Sequence, residues 1–531
     1  MQGGVCVVSS AYSSRRVIQP SKSPQRRPVL RIGSHQEILN KSSAHSYVGF
    51  RRCRASRRLI SRKLPVVNGR TQQASQPRFP GASRACPVPN LSSLASTGAC
   101  RPQLPLNRRG TDMLYAWREW QSMMWAPALP WLQATAELLA KVDHITHAAP
   151  CRQVAAGCDL LVRLFRHYDK PQFGLTYTDM AGQRVAVRES VVLEKAFCRL
   201  VRFERATDCR HPVVLLVAPL SGHHATLLRD TVRAMLPDFD VYITDWLDAR
   251  HVPVARGTFH LHDYVAYVQE FIDYLGPEVH VVAVCQSTVP VLGAIALSAA
   301  GHGCTPASVT LMGGPVDARR SPTVVNRLAV SKPLDWFART LINTVPRLHA
   351  GAGREVYPGF RQHMAFMSMN PDRHLKAHAD YYRAVSTGNT EAARKHRTFY
   401  DEYNAVLDMA AEYYLETVRV VFQDFALARG TWTVNGERVC PEAIRDTVLI
   451  TVEGENDDIC GQGQTHAAHD LCTAIDPSNR YCLTVAECGH YGIFSGSRWR
   501  THIYPRIRDI IRRFDNAHPE ATASETVALN L

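Results

Sequence analysis

The residues best suited to chemistry begin with a cysteine in the segment Val279-His280-Val281-Val282-Ala283-Val284-Cys285-Gln286-Ser287-Thr288-Val289-Pro290. The β-branched run predicts a strand ending at Val284, and Pro290 suits the first turn of a following helix. Cys285 then sits in the tight turn between them. Ala283 and Ser287 stand two positions either side, where such a turn needs small residues because neighbouring backbone comes close. A turn of this kind exposes the side chain at its apex and aims the helix N-terminus at it. The positive helix end favours thiolate over thiol. The same end presents the Gln286 backbone N–H to a developing oxyanion.

Two later segments supply the groups that a thiol nucleophile needs. Gly454-Glu455-Asn456-Asp457-Asp458-Ile459 follows the apolar run Thr447–Val452, where a parallel sheet presents an acid. Cys488-Gly489-His490-Tyr491-Gly492 follows the last apolar run, where it presents a histidine in a glycine-flanked loop. The order nucleophile, acid, histidine is that of α/β-hydrolases. Asp457 is preferred to Asp458 because Ile459 stands two positions after it in a G-x-x-D-x-[IV] pattern. His490 takes the proton of Cys285 and delivers it to a leaving alcohol, while Asp457 holds the useful tautomer. The second oxyanion donor is expected in the loop Ser221-Gly222-His223-His224, with Ser221 the choice. Either histidine there could equally be a packing residue. His466 and His469 have helical spacing but no third ligand at a recognised distance, so they are read as solvent-facing, and neither a metal nor another cofactor is expected.

The elements that must position these residues are a series of short apolar runs. They are Pro212–Leu220, Phe239–Trp246, Val279–Val284, Ser308–Met312, Thr447–Val452 and Arg480–Val485. Helical segments such as Ala225–Met235 and Tyr264–Leu275 lie between most of them. Continuous apolar strands alternating with helices predict an α/β fold, a mostly parallel sheet with helices on both faces. The gap from Asp317 to Asp446 is long and helical in pattern, with Leu407–Leu427 its clearest amphipathic run. An insertion there predicts a helical cap over the strands' C-terminal edge, where ligands bind. The expected divisions are a basic extension at 1–112, an N-terminal helical region at 113–200, a core at 201–317 and 441–513, a cap at 318–440 and a tail at 514–531. In the helical region Trp117, Trp120 and Met124, then Trp131, Leu138 and Leu139, recur at helical spacing, and Pro127 and Pro130 separate the two runs.

Composition removes several function classes. The chain has 531 residues and a formal net charge of +15. Residues 1–112 hold 20 Lys and Arg against only Glu37 and Asp112, while the rest holds 42 basic and 45 acidic residues. The basic excess therefore lies in one Ser/Arg/Pro-rich extension that cannot bury a core, and no nucleic-acid partner is expected. Translation starting at Met113 would account for it equally well. The 15 cysteines include no C-x-x-C pair, so they read as reduced and mostly buried. The stretch Val279–Val316 lacks Lys, Arg, Asp and Glu, yet Gln286, Ser287, Thr288 and Pro290 interrupt it, and a strand and helix explain it better than a membrane span.

Several segments together resemble the intracellular poly(3-hydroxybutyrate) depolymerases. They are Met113-Leu114-Tyr115-Ala116-Trp117, Ala218-Pro219-Leu220-Ser221-Gly222-His223 with Ala225-Thr226-Leu227-Leu228, Val284-Cys285-Gln286-Ser287, Met312-Gly313-Gly314-Pro315-Val316-Asp317 and Thr451-Val452-Glu453-Gly454-Glu455. The resemblance runs from Met113 to about Arg513. It implies a cytoplasmic α/β-hydrolase that acts on amorphous storage granules with a cysteine in place of serine, and it matches Cys285, Asp457 and His490 to that family's triad. It also implies a granule surface as partner. Tyr357, Phe360, Met364, Phe366, Met367 and Met369 would offer adaptable apolar contacts to polymer or, equally, form the cap's own core. The rival readings are a polyhydroxyalkanoate synthase-like acyltransferase, whose elbow usually keeps glycines where this chain has Ala283 and Ser287, and a non-catalytic granule-coating protein.

Overall fold

The computed structural model describes residues 108–146 and 149–515. Nine strands form the main sheet: β1 (Tyr177–Met180), β2 (Gln183–Glu194), β3 (Cys198–Arg205), β4 (Val213–Val217), β5 (Asp240–Trp246), β6 (His280–Val284), β7 (Ser308–Met312), β8 (Val448–Gly454) and β9 (Arg480–Val485). Their spatial order is β1-β2-β3-β5-β4-β6-β7-β8-β9. From β5 to β9 all neighbours are parallel, and β1, β2 and β3 are added antiparallel at one edge. This is the α/β-hydrolase arrangement. Every residue of β6, β7 and β8 is buried, which explains why these strands read as unbroken apolar runs rather than alternating ones.

The helices α4 (Arg229–Met235), α5 (Leu261–Leu275) and α6 (Thr288–Ala300) connect the strands. Helix α6 is apolar on all sides and is buried from Thr288 to Ser298. It therefore packs on the sheet and on other layers as well. The stretch Val279–Val316 is thus β6, α6 and β7. Among the described residues no helix is long and apolar enough to cross a membrane.

Between β7 and β8 lie six helices: α7 (Val324–Ser331), α8 (Leu334–Leu341), α9 (Gly359–Met369), α10 (Pro371–Ser386), α11 (Thr390–Tyr403) and α12 (Ala411–Thr417). Three short strands, Asn343–Thr344, Glu355–Tyr357 and Met409–Ala410, pair antiparallel among them. The amphipathic run expected over Leu407–Leu427 is shorter than its pattern. It begins at Ala411, because Met409–Ala410 pairs as strand, and passes into a π turn at Val418–Gln423.

The N-terminal region needs a larger correction. Helices α1 (Arg108–Trp125), α2 (Ala128–Thr146) and α3 (Ala149–Phe165) are present, but the helical reading of 113–200 fails beyond Phe165. Strands β1 (Tyr177–Met180), β2 (Gln183–Glu194) and the start of β3 at Cys198 lie there instead. Met180 pairs with Gln183 across a two-residue turn, Ala181-Gly182, in which both φ angles are positive (49° and 77°). Such turns are usually announced by Asn-Gly or Asp-Gly. Here Ala181 hides the hairpin, and the charged residues of β2 break its apolar alternation. Helix α1 begins at Arg108, five residues before the expected boundary at Met113, and the rest of the basic extension lies outside the described residues. So does all of the tail beyond Asp515.

Helix α1 is anchored to the cap and core by one buried hydroxyl. Tyr115 donates to the carboxylate of Asp408, whose other oxygen accepts from the Gly359 N–H at the start of α9 (2.8 Å). The Asp408 N–H in turn donates to Asp248 (3.2 Å) in the loop after β5. A different feature tests the close packing of α6. A Cβ built on Gly293 would lie 2.5 Å from the Trp432 ring, and that ring is itself buried. Gly293→Ala should therefore destabilise the chain by about 1–3 kcal/mol despite its better helix propensity, read as a lower midpoint in urea unfolding.

Candidate active site

The turn after β6 has the strained backbone that its sequence suggested. Cys285 adopts φ +57°, a left-handed conformation that costs a non-glycine residue roughly 1 kcal/mol or more and persists only where the surroundings over-determine it. Those surroundings are specific. The Ser287 hydroxyl is fully buried and lies within hydrogen-bond distance of the Val217 carbonyl (2.9 Å) and the Val284 carbonyl (2.8 Å), tying the turn to the end of β4. Thr288 Oγ1 donates to the Cys285 carbonyl at 2.9 Å. Gly314, just after β7, presses on the same turn: a Cβ there would stand 1.8 Å from Thr288 Oγ1 and 2.4 Å from the Cys285 carbonyl oxygen. No side chain larger than hydrogen fits at 314 without moving the turn.

Asp457 and His490 meet beside this turn. His490 Nδ1 donates to Asp457 Oδ2 at 2.8 Å, and the two side chains are 5% and 1% exposed. The other Asp457 oxygen accepts from the Ile459 and Cys460 N–H groups at 2.9 and 2.8 Å, so the carboxylate is held from both ends. Asp458 turns away and accepts from Asn370 Nδ2 at 2.7 Å. Cys285 and His490 line the same cavity, and the sulfur is near enough to the ring to influence its charge. Burial opposes charge on His490, but the Asp457 carboxylate, its hydrogen bond to the ring and the nearby Cys285 sulfur outweigh it and hold its pKa well above the ordinary imidazole value.

The loop that carries Asp457 is ordered by a residue whose role the sequence did not reveal. Glu453, at the end of β8, is buried and accepts from the N–H groups of Gly463 (2.7 Å), Thr465 (2.7 Å) and His466 (2.9 Å). Thr465 in turn receives the Gly314 N–H at 2.9 Å and donates to the Gly314 carbonyl at 3.0 Å. One network therefore joins the acid's loop to the glycine that presses on the cysteine turn.

Cys285, Gln286, Ser221 and His490 line one cavity of about 480 Å³. It lies under the cap: α7, α8, α9 and α12 contribute apolar walls, among them Leu328, Trp336, Phe366 and Met369. The adaptable residues expected in the cap divide. Tyr357, Phe366 and Met369 line the cavity, Phe360 packs edge-on against Tyr115 with centroids 5.7 Å apart, Met367 is partly buried and Met364 is exposed. His223 and His224 are packing residues. Burial pulls them down to about 3 and about 4, and the His223 ring sits against Phe366 and Tyr403, with Nε2 donating to the Tyr403 carbonyl at 3.2 Å.

His466 and His469 are not solvent-facing as expected. Both are partly buried and share the Thr451 hydroxyl, at 2.7 and 2.8 Å, because β8 brings Thr451 beneath their helical turn. Among the described residues, His260, His262 and Glu416 have metal-compatible spacing, with ligand atoms within 4.8 Å of one another. None of the three lines the cavity, and Glu416 is engaged by His260 Nδ1 and the Leu261 N–H at 2.8 and 2.9 Å.

Residues 313–515 match the family described as PHB de-polymerase C-terminus, a span that includes the cap, Asp457 and His490. No curated protein matches the chain. Among solved structures, a thermophilic esterase from Thermogutta terrifontis is similar at 11% identity, with 62% of this chain and 99% of that one covered and a TM-score of 0.34. A membrane phospholipase A described as a bacterial virulence factor gives 13%, 76%, 98% and 0.33. Naproxen esterase from Bacillus subtilis gives 11%, 62%, 92% and 0.31.

The two neighbouring acids make a direct test. Asp457→Asn should move the His490 titration, followed by NMR, to markedly lower pH, whereas Asp458→Asn should leave it in place. A raised folded-state pKa stabilises the native chain below the ordinary imidazole range and loses that contribution as pH rises through the raised value. The stability cost of Asp457→Asn in urea unfolding should therefore be largest near or below ~pH 6 and shrink in alkali.

Proposed function

We infer that this ester hydrolase, which carries the C-terminal region of the PHB de-polymerase family over residues 313–515, cleaves the backbone esters of poly(3-hydroxybutyrate) through Cys285, His490 and Asp457. The observation that carries this reading is a cysteine strained to φ +57° that shares the wall of an apolar cavity with an imidazole held by a buried carboxylate.

The chemistry follows from those groups. The Cys285 thiolate adds to an ester carbonyl carbon, and the carbonyl electron pair moves to oxygen. The Gln286 N–H, with a donor from the Ser221 loop, steadies that oxyanion. Collapse breaks the C–O bond, and His490 gives its proton to the departing alkoxide, leaving a thioester on Cys285. His490 then removes a proton from water, which attacks the thioester and frees the hydroxy acid together with the thiolate. Asp457 keeps the imidazole in one tautomer and offsets its charge in both steps. The apolar cap keeps competing water from the site and strengthens each of these interactions.

A solid or amorphous polyester is an apolar surface, and a granule in the cytoplasm is the partner this reading requires. Support comes from where the exposed large apolar side chains lie. On α1 and α2, Met113, Trp117, Trp120, Met124 and Trp131 are exposed, Trp131 to 78%, and on the cap Val324, Leu328, Met364 and Leu375 are exposed as well. Of these, Val324 and Leu328 also line the cavity, so the apolar surface continues into its wall. So many large exposed apolar side chains are more than a surface usually carries without a use.

Cys285→Ala should abolish release of 3-hydroxybutyrate from amorphous polymer, and His490→Gln should lower it by at least about 10³-fold. Release of CoA from hydroxybutyryl-CoA at a rate exceeding polymer hydrolysis would instead support an acyltransferase. Trp117→Ser combined with Trp131→Ser should leave hydrolysis of a soluble short ester unchanged while weakening sedimentation with polymer granules. Undiminished sedimentation would remove α1 and α2 from the contact.

A further inference from the structure

Arg361, on α9, lines the cavity that holds Cys285 and His490. Among the described residues lining it there is no Asp, Glu or Lys, so Arg361 is its one permanent cation. The guanidinium makes one hydrogen bond among the described residues, from Nη1 to the Thr340 carbonyl at 2.6 Å, while Nε is buried without a partner. No carboxylate of the described residues forms an ion pair with it. Burial lowers its pKa from the ordinary guanidinium value, and only the neighbouring Tyr357 hydroxyl works the other way.

Thr340 lies in the last turn of α8, so Arg361 also serves that helix's carbonyl end. That service does not require the cavity, since a cation at a helix C-terminus works from solvent. Arg361 is partly buried with no carboxylate among the described residues beside it, and the fork geometry of arginine matches a carboxylate in two parallel bonds. The cation's missing partner is therefore one that arrives with the substrate.

We propose that Arg361 is a subsite for the free terminal carboxylate of hydroxyalkanoate oligomers, so that this enzyme cleaves soluble oligomers from their acid end. The inference rests on the esterase reading above. A linear polyester of hydroxy acids has one carboxylate, at the end of the chain whose hydroxyl side is esterified. Attack on an ester carbonyl leaves the hydroxyl-side fragment on Cys285 and expels the carboxyl-side fragment as the alcohol. A carboxylate held by Arg361 thus belongs to the leaving group, which departs with the His490 proton as a free hydroxy acid. The site cleaves internal esters of the polymer without using Arg361 and gains an end-directed preference once the fragments are short enough to lie within about 480 Å³.

The test uses the full chain and two substrates of equal length, the 3-hydroxybutyrate trimer as its free acid and as its methyl ester. The discriminating quantity is the ratio of kcat/KM for the acid to that for the ester. In Arg361→Ala this ratio should fall about ten- to a hundredfold, mainly through KM for the acid. Arg361→Gln keeps a donor for the Thr340 carbonyl and should show the same fall, which a purely structural role at α8 would not produce. A ratio within about twofold of wild type in both variants overturns the subsite, whatever happens to the absolute rates. Wild-type protein that cleaves neither trimer nor polymer overturns the esterase reading itself, and the subsite with it.

Discussion

The site depends on one strained residue being kept strained. Cys285 at φ +57° relaxes unless its carbonyl and the following turn are held, and four contacts hold them: Ser287 to the end of β4, Thr288 to the Cys285 carbonyl, and the close approach of Gly314 to both. These contacts come from Ser287, Thr288 and Gly314, and the strands β4, β6 and β7 that they join are adjacent in the sheet. The parallel sheet therefore serves as a frame whose strand ends converge on the turn. Strain at a functional turn persists here because the strands around it, β4, β6 and β7, are almost wholly buried and fixed.

The imidazole is fixed by the same frame. β8 ends in Glu453, whose carboxylate gathers three N–H groups of the loop after Asp457, and Thr465 of that loop clasps Gly314 on both its backbone polar groups. A displacement of the acid's loop would thus be transmitted to the cysteine's turn. Low exposure of Asp457 and His490 removes water from their pairing, so the charge-assisted bond is strong and the imidazole stays protonated to higher pH.

The cap changes the character of the cavity more than its chemistry. A bare sheet edge would present Cys285 to water, whereas α7, α8, α9 and α12 close an apolar volume over it. Into that volume they introduce a single permanent charge, Arg361. The N-terminal helices are tied to this assembly through Tyr115 and Asp408, so the exposed tryptophans of α1 and α2 are carried by a unit anchored to the start of α9. The polyester proposed as substrate would suit a cavity with so few charges and the exposed apolar side chains of α1 and α2.

Much of this was legible in the residues alone. Runs such as Val279–Val284 and Ser308–Met312 are too short and too uniformly apolar for anything but buried parallel strands, and the segment order of cysteine, acid and histidine follows from the chain. The family match over residues 313–515 covers Gly313–Asp317 and Thr451–Glu455 among the segments that carried the depolymerase resemblance. The hairpin of β1 and β2 was not legible, because Ala181-Gly182 lacks the usual turn signal and charged residues interrupt the alternation. The local G-x-x-D-x-[IV] pattern favoured Asp457 over Asp458, but only the turn of the folded loop carries Asp457 to His490 and Asp458 to Asn370. Glu453 and Arg361 were invisible for the same reason: a charged side chain looks like a solvated one until the fold decides what surrounds it. The sequence thus determined which elements form and which reactive types they carry, through periodicity and turn chemistry that act over a few residues. Only the tertiary structure decided which charges lose their water and which partners they meet, because burial is a property of distant segments brought together.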